Sequence, residues 1–139
     1  MVTWTFGNML SLAMPKDYGT QKLERNDFPF IPSEFELMVR HTRTENGWIP
    51  DIDAVLQLKV IERVFQACDT IIAATDASRD GEMTFRYIYQ YLNCTLPCFR
   101  LWISSLTDES VRKGMENLKP DSCYDSLFLS ADSRNKADW

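Results

Sequence analysis

The sequence predicts an α/β fold in which a mostly parallel sheet carries helices on both faces. Three observations lead there. Apolar residues between positions 52 and 68 recur at helical spacing. Two short apolar runs, IIAAT at 71–75 and FRLWISS at 99–105, have the length and composition of strands inside a sheet. These segments alternate helix, strand, helix, strand, helix, and crossovers of that kind join parallel neighbours.

Along the chain, VTWTF at 2–6 alternates branched and aromatic residues and stops at Gly7, which reads as a strand ending in a turn. NMLSLAM at 8–14 reads as one or two helical turns before Pro15. From Lys16 to about Ser33 the chain is dense in charge and carries Pro29 and Pro32, so an extended excursion over the surface is expected. FELMV at 35–39 is the next strand, and HTRTENGWIPD at 41–51, with Asn-Gly and proline, reads as a loop.

Ala54, Leu58, Ile61, Phe65 and Cys68 then share a face that Val60 and Val64 widen, giving an amphipathic helix over 52–68. Asp69 and Thr70 lead into the 71–75 run, which suits a strand buried on both faces. A second helix starts near Gly81, with Phe85, Ile88, Tyr89 and Leu92 on one side. Thr107 opens a third helix reaching about Leu118; Ser110 stands where a capping box has an acid, so only half of the box is present. Residues 122–139 form a last helical stretch.

Bulk properties narrow the function. The 139 residues suffice for one hydrophobic core, and 45% hydrophobic with 25% charged residues is a globular composition. No run approaches the roughly 20 apolar residues of a membrane span, and MVTWTFGNMLSL lacks the basic start of a signal peptide, so a cytoplasmic protein is expected. A net charge of -5 has the wrong sign for holding nucleic acid by phosphate neutralisation; a metal, or the rest of a larger protein, would have to supply the attraction. Cys68, Cys94, Cys98 and Cys123 do not form two CxxC pairs and His41 is the single histidine, which argues against structural zinc and for reduced, mostly buried thiols.

Ligands of a parallel sheet gather at the carboxyl ends of its strands, so ATDASRDGE at 74–82 is the candidate site. Asp76, Asp80 and Glu82 crowd there just after an apolar strand, with Gly81 allowing a tight turn into the helix. Three close carboxylates repel one another unless a divalent cation or solvent intervenes. Acids at a helix start also cap free N–H groups and favour its dipole, so composition alone leaves both readings open.

IIAATDASRDGE resembles the Toprim signature of type IA DNA topoisomerases, a hydrophobic strand followed by ATDPDREGE. VTWTFGNMLSLA is similar to VTWTFGHLLEL of the topoisomerase III branch, and RLWISSLTDESVRKGMENLKP with a terminal ADW is similar to RLWISSLTDEAIRKGFENLKP and EADWLVG. The resemblance covers nearly the whole chain. It implies a Toprim-like, Rossmann-like fold lacking the domain's first strand, with residues 1–139 a single partial Toprim domain, 52–118 its clearest core and 122–139 the start of a following helical region. It also implies a chemistry in which a tyrosine attacks one DNA strand, forms a 5′-phosphotyrosine bond, lets another strand pass and reseals the break, with Mg²⁺ near the scissile phosphate. The DNA partner would be a single-stranded segment, reached through the parent enzyme.

Carried over by position, Asp76 and Asp80 are the implied metal ligands, and Glu82 supports the turn or the helix start. Arg79 meets a phosphate or forms a local ion pair. Ser105 and Thr107 could donate to backbone phosphates, Thr107 equally serving as a helix cap. Ser78 replaces the motif's second aspartate, which implies weak or lost Mg²⁺ binding. Asn8 stands in place of a histidine and Asp132 in place of an arginine, both near the DNA path the resemblance implies. A first strand bearing a catalytic glutamate is expected before Val2 and the nucleophile's domains after Trp139. Tyr18, Tyr87, Tyr89, Tyr91 and Tyr124 are read as packing or surface residues. The chain is then either a piece of a longer topoisomerase or a degenerate Toprim module that binds DNA or protein, and an exposed sheet edge would invite self-association. A doubly wound flavodoxin-like or receiver-type domain with an acidic pocket is the remaining alternative, and it leaves the flanking matches unexplained.

Overall fold

The computed structural model describes residues 1–19, 29–45 and 47–139. Among these residues three small sheets and four α-helices follow one another in mixed order. Strands β1 (Leu10–Leu12) and β2 (Leu37–Val39) pair antiparallel, with Leu10 opposite Val39 and Leu12 opposite Leu37. Strands β3 (His41–Thr44) and β4 (Gly47–Pro50) form a second antiparallel pair. Helix α1 (Ile52–Gln66), strand β5 (Ile71–Ala73), helix α2 (Arg79–Tyr91), strand β6 (Cys98–Arg100), helix α3 (Asp108–Glu116), strand β7 (Lys119–Pro120) and helix α4 (Asp125–Ala137) complete the chain. In the third sheet, ordered β5-β6-β7, β5 and β6 are parallel and β7 adds an antiparallel edge.

Helix α1 starts where the sequence places it because Asp51 caps it, accepting from the N–H groups of Asp53 and Ala54 at 3.0 and 3.3 Å. Asp51 also pairs with Arg40 at 2.7 Å, and the hydrogen bond from Arg40 holds the Asp51 carboxyl below its ordinary range. The inner face of α1, Ala54, Leu58 and Ile61, packs with Met9, Leu10 and Leu12, with Met83, Tyr87 and Ile88 of α2, and with Phe128 and Ala131 of α4. Burying about ten such side chains supplies most of the driving force, at roughly 1.5–3 kcal/mol for a fully buried large aliphatic or aromatic group. A second cluster joins Ile71, Ala73 and Cys98 of the sheet to Phe85 of α2. The two clusters meet at Phe65, which packs against both.

Several expectations need correction. Residues 2–6 form no strand; instead the Gln57 amide donates to Thr3 Oγ1 and to the Trp4 carbonyl at 3.2 and 2.8 Å, and Val2 stands 94% exposed. The NMLSLAM segment, expected helical, contains β1, because pairing with Leu37–Val39 satisfies its backbone and buries Leu10 and Leu12. The expected loop at 41–51 is the β3–β4 hairpin. Of the 99–105 run only Phe99 and Arg100 lie in a strand, which begins at Cys98; β5 and β6 pair parallel as expected, and β7 adds an antiparallel edge. Ile72, expected in a strand buried on both faces, is 42% exposed beside neighbours that are not. Of the expected excursion after Lys16, Pro15–Tyr18 is a short 3₁₀ turn and residues 20–28 lie outside the described residues.

The final helical stretch is part of the core and not an appendage. Tyr87 donates to Asp132 at 2.9 Å, Asn135 donates to the Tyr87 oxygen at 3.0 Å, and Trp139 Nε1 reaches back to the Ala13 carbonyl at 2.8 Å. No helix among the described residues is long and apolar enough to cross a membrane. The thiols are less hidden than expected: Cys98 is buried and its thiol pushed up to about 12 by burial, Cys68 and Cys94 are half-buried, and Cys123 is exposed.

Candidate functional site

The acidic segment lies where the sequence puts it, between the carboxyl end of β5 and the first turn of α2. Ser78 is the N-cap: its hydroxyl accepts from Gly81 N at 3.0 Å. Serine is among the residues best suited to this capping position. Thr75 Oγ1 donates to the Gly81 carbonyl at 2.7 Å, folding the loop back on the helix. Gly81 is needed by this close approach. A Cβ there would fall inside the Asp76 carbonyl, and 2.8 and 2.9 Å from the Asp76 carbonyl carbon and Cβ.

What holds the loop is Arg100, which sequence reasoning missed. The side chain is fully buried at the end of β6. Its Nε meets Glu82 at 2.7 Å, and its terminal nitrogens donate to the carbonyls of Ala73, Thr75 and Asp76 at 2.9, 2.8 and 2.7 Å. One guanidinium therefore fastens the strand end and the acidic turn to the helix, using the fork geometry that lysine lacks. A lone charge in an otherwise apolar strand segment was the available signal, because a buried arginine requires a partner.

Glu82 is the partner, and it is equally buried. Its second oxygen accepts from Arg86 Nε at 2.9 Å, and Arg86 continues to Asp125 and Asp121 at 2.8 and 3.4 Å. Burial alone would pull the Arg86 guanidinium down, but the hydrogen bonds with Glu82 and Asp125 carry it above its ordinary value. Both oxygens of Glu82 are thus engaged by arginines, which removes it from any role facing solvent.

Asp76 and Asp80 differ from it in every respect. Both are exposed, and their carboxylates make no ion pair or side-chain hydrogen bond among the described residues. Arg79, between them, is exposed and equally without an ion pair there, so the local pair weighed from sequence is not formed. Ser105 and Thr107 follow the carboxyl end of β6. Thr107 caps α3, accepting from Ser110 N at 3.4 Å and donating to Ser110 Oγ at 2.9 Å, and Ser105 Oγ accepts from Thr107 N at 3.4 Å. Asp132 lies elsewhere, in the α2–α4 contact, pairing with Lys136 at 2.7 Å and accepting a hydrogen bond from the Tyr87 hydroxyl. Burial pushes the Tyr87 hydroxyl up to about 12, so it stays a neutral packing phenol. An open groove of about 470 Å³ bounded by Leu12, Phe35, Tyr87, Asp132 and Lys136 includes none of the acidic-loop residues.

The Toprim domain family model matches residues 1–106, which span the acidic loop and the β5-β6 pair beneath it. The chain belongs to the Toprim domain family. The Toprim match ends just before α3, and the similarity to relatives runs further: over its full length the chain is 36% identical to DNA topoisomerase 3 of Bacillus thuringiensis (strain Al Hakam), 35% to that of Bacillus licheniformis and 34% to that of Bacillus subtilis (strain 168). It covers 18% of each of these proteins, so it spans about a fifth of the length of the curated relatives it matches. No observation favours the degenerate binding module over homology to topoisomerase 3.

Toprim domains generally bind Mg²⁺. The donor set of this Toprim domain fits such an ion in one form. Among the described residues no group of three or more His, Cys, Asp or Glu side chains is placed to hold a metal. Two free carboxylates remain, and Mg²⁺ characteristically keeps several waters and binds through one or two carboxylates plus substrate phosphates. The arrangement suits a hydrated ion that a phosphate completes, and does not suit an ion enclosed by protein.

Proposed function

We propose that this Toprim domain contributes a magnesium site and DNA-backbone contacts to single-strand cleavage and religation by a type IA, topoisomerase III-like enzyme, and that alone it relaxes no supercoiled DNA. The observation that carries this reading is the division of labour among the three acids: Glu82 is locked by two arginines, while Asp76 and Asp80 stand exposed and unpaired on a loop that Arg100 holds rigid. Unpaired carboxylates on a backbone that hydrogen bonds hold in place are suited to meeting a metal.

In this reading Asp76 and Asp80 hold Mg²⁺, weakly because Ser78 leaves the site one charge short. Bound there, the ion supplies charge neutralisation to a DNA phosphate and fixes the backbone near the break. Arg79 donates to a neighbouring phosphate, and Ser105 and Thr107 border the same path with hydroxyls that also stabilise α3. The partner is single-stranded DNA presented by the parent enzyme, in the cytoplasm. The 139 residues act as one partial domain, with 52–118 its clearest α/β stretch and 122–139, packed on the same core, the start of a following helical region. The outer edge of β5, unpaired among the described residues, is the route for any self-association.

The acidic charge makes the test direct. A short labelled single strand should change its fluorescence anisotropy on adding the chain with Mg²⁺ and show no such change with a chelator. Arg79→Ala should weaken binding by roughly threefold to fivefold, the size of one exposed charge contact of up to about 1 kcal/mol. Equal binding with and without metal would contradict a metal-bridged contact.

A further inference from the structure

Thr84 lies one turn beyond Asp80 on α2, and its hydroxyl is 2.8 Å from the Asp80 carbonyl and 2.7 Å from the terminal carboxamide of Asn8. A hydroxyl has one proton and cannot donate to two oxygens. The contacts are all satisfied when the amide nitrogen of Asn8 faces Thr84: Nδ2 then donates to Thr84 Oγ1, and the hydroxyl donates to the Asp80 carbonyl. In that arrangement the carboxamide oxygen is turned away from Thr84.

Asn8 does not hang from a loose end. Its carbonyl accepts from Arg40 at 3.3 Å, the next residue, Met9, is 1% exposed, and the Met9 carbonyl accepts from Arg40 N at 3.0 Å. Arg40 is itself paired with the Asp51 cap of α1. The backbone at Asn8 is therefore fixed, and its exposed side chain is held to α2 no farther from the Asp80 carbonyl than the two Thr84 contacts end to end.

We propose that Asn8 is a positioning residue of the Asp76–Asp80 site. The Asn8 amide and Thr84 hydroxyl form a relay that fixes the first turn of α2. The carboxamide oxygen, turned away from Thr84, is then the neutral acceptor for a water of the hydrated cation, on a site that Ser78 leaves short of a charge. Waters on a Mg²⁺-like ion need acceptors of this kind, and such outer partners typically change metal affinity by about 10–100-fold. This rests on the metal reading above.

The test uses Mn²⁺ as the probe on the isotope-labelled chain. At substoichiometric Mn²⁺ the side-chain amide signals of Asn8 should broaden together with the backbone amides of residues 76–81. Thr84→Val, which removes the hydroxyl at nearly constant shape, should weaken Mn²⁺ by about tenfold, while Thr84→Ser should bind as the unmodified chain does. Broadening of 76–81 with sharp Asn8 side-chain signals, or full affinity in Thr84→Val, would overturn the assignment of Asn8 and leave the acidic site standing. Absence of broadening anywhere would remove the metal reading and this inference with it.

Discussion

Replacing Arg100 with leucine should lower the unfolding free energy by about 3–5 kcal/mol, the loss typical when one partner of a buried ion pair is removed. Glu82 would keep its bond to Arg86 but lose the partner on its other oxygen, in a setting with no solvent access. The Thr75 carbonyl would lose its Arg100 donor, and the Ala73 and Asp76 carbonyls would each be left with one backbone donor, Leu101 N and Ser78 N. Against a total stability of about 5–15 kcal/mol for an ordinary domain, this is a large fraction. Arg100→Lys should recover little, because a single ammonium cannot reach Glu82 and three carbonyls in one plane. Urea denaturation measures both variants; a loss below about 1 kcal/mol for leucine would mean that the network is not what holds the loop.

The second large effect concerns Gly81. Gly81→Ala should cost about 2–3 kcal/mol, the upper part of the range for inserting a methyl group where there is no room. The obstacle is backbone, the Asp76 carbonyl, which is pinned by Arg100 and by Ser78 N at 2.7 and 2.8 Å and cannot yield without breaking those bonds. Gly114→Ala is the contrast. Its Cβ would meet Ile103 Cγ2 at 2.5 Å and Leu101 Cδ1 at 2.7 Å, the ends of side chains that can rotate, so a smaller loss is expected. Denaturation of the two variants side by side decides the point: equal losses would show that the Asp76 turn gives way as easily as a side chain.

The parts of this architecture legible in the sequence are those where local pattern and tertiary environment agree. The apolar face of α1, the 71–73 strand and the helix after the acidic loop all carry patterns that packing then uses. The NMLSLAM segment failed because a seven-residue apolar stretch fits either period, and only Leu37–Val39, some 25 positions on, selects the strand. At 41–50 the Asn-Gly pair was read as a loop although Thr42, Thr44, Trp48 and Ile49 are strand-forming residues around a hairpin signal.

The candidate site divides in the same way. The exposed positions of Asp76, Asp80 and Arg79 after the β5 strand end were legible from the motif. Arg100 was not, because its role depends on five partners spread from Ala73 to Leu101. Asn8 was noted only as a departure from the family pattern, since nothing local links it to Thr84, 76 positions away.

The most direct measurement is a Mg²⁺ titration of the labelled chain, following the amides of residues 74–82 with Asp76→Ala as the comparison. Saturable shifts centred on Asp76 and Asp80, absent from Asp76→Ala, are the expected result for a loop that Arg100 holds open to a hydrated cation. No shift at millimolar Mg²⁺, or shifts that persist in Asp76→Ala, would contradict it.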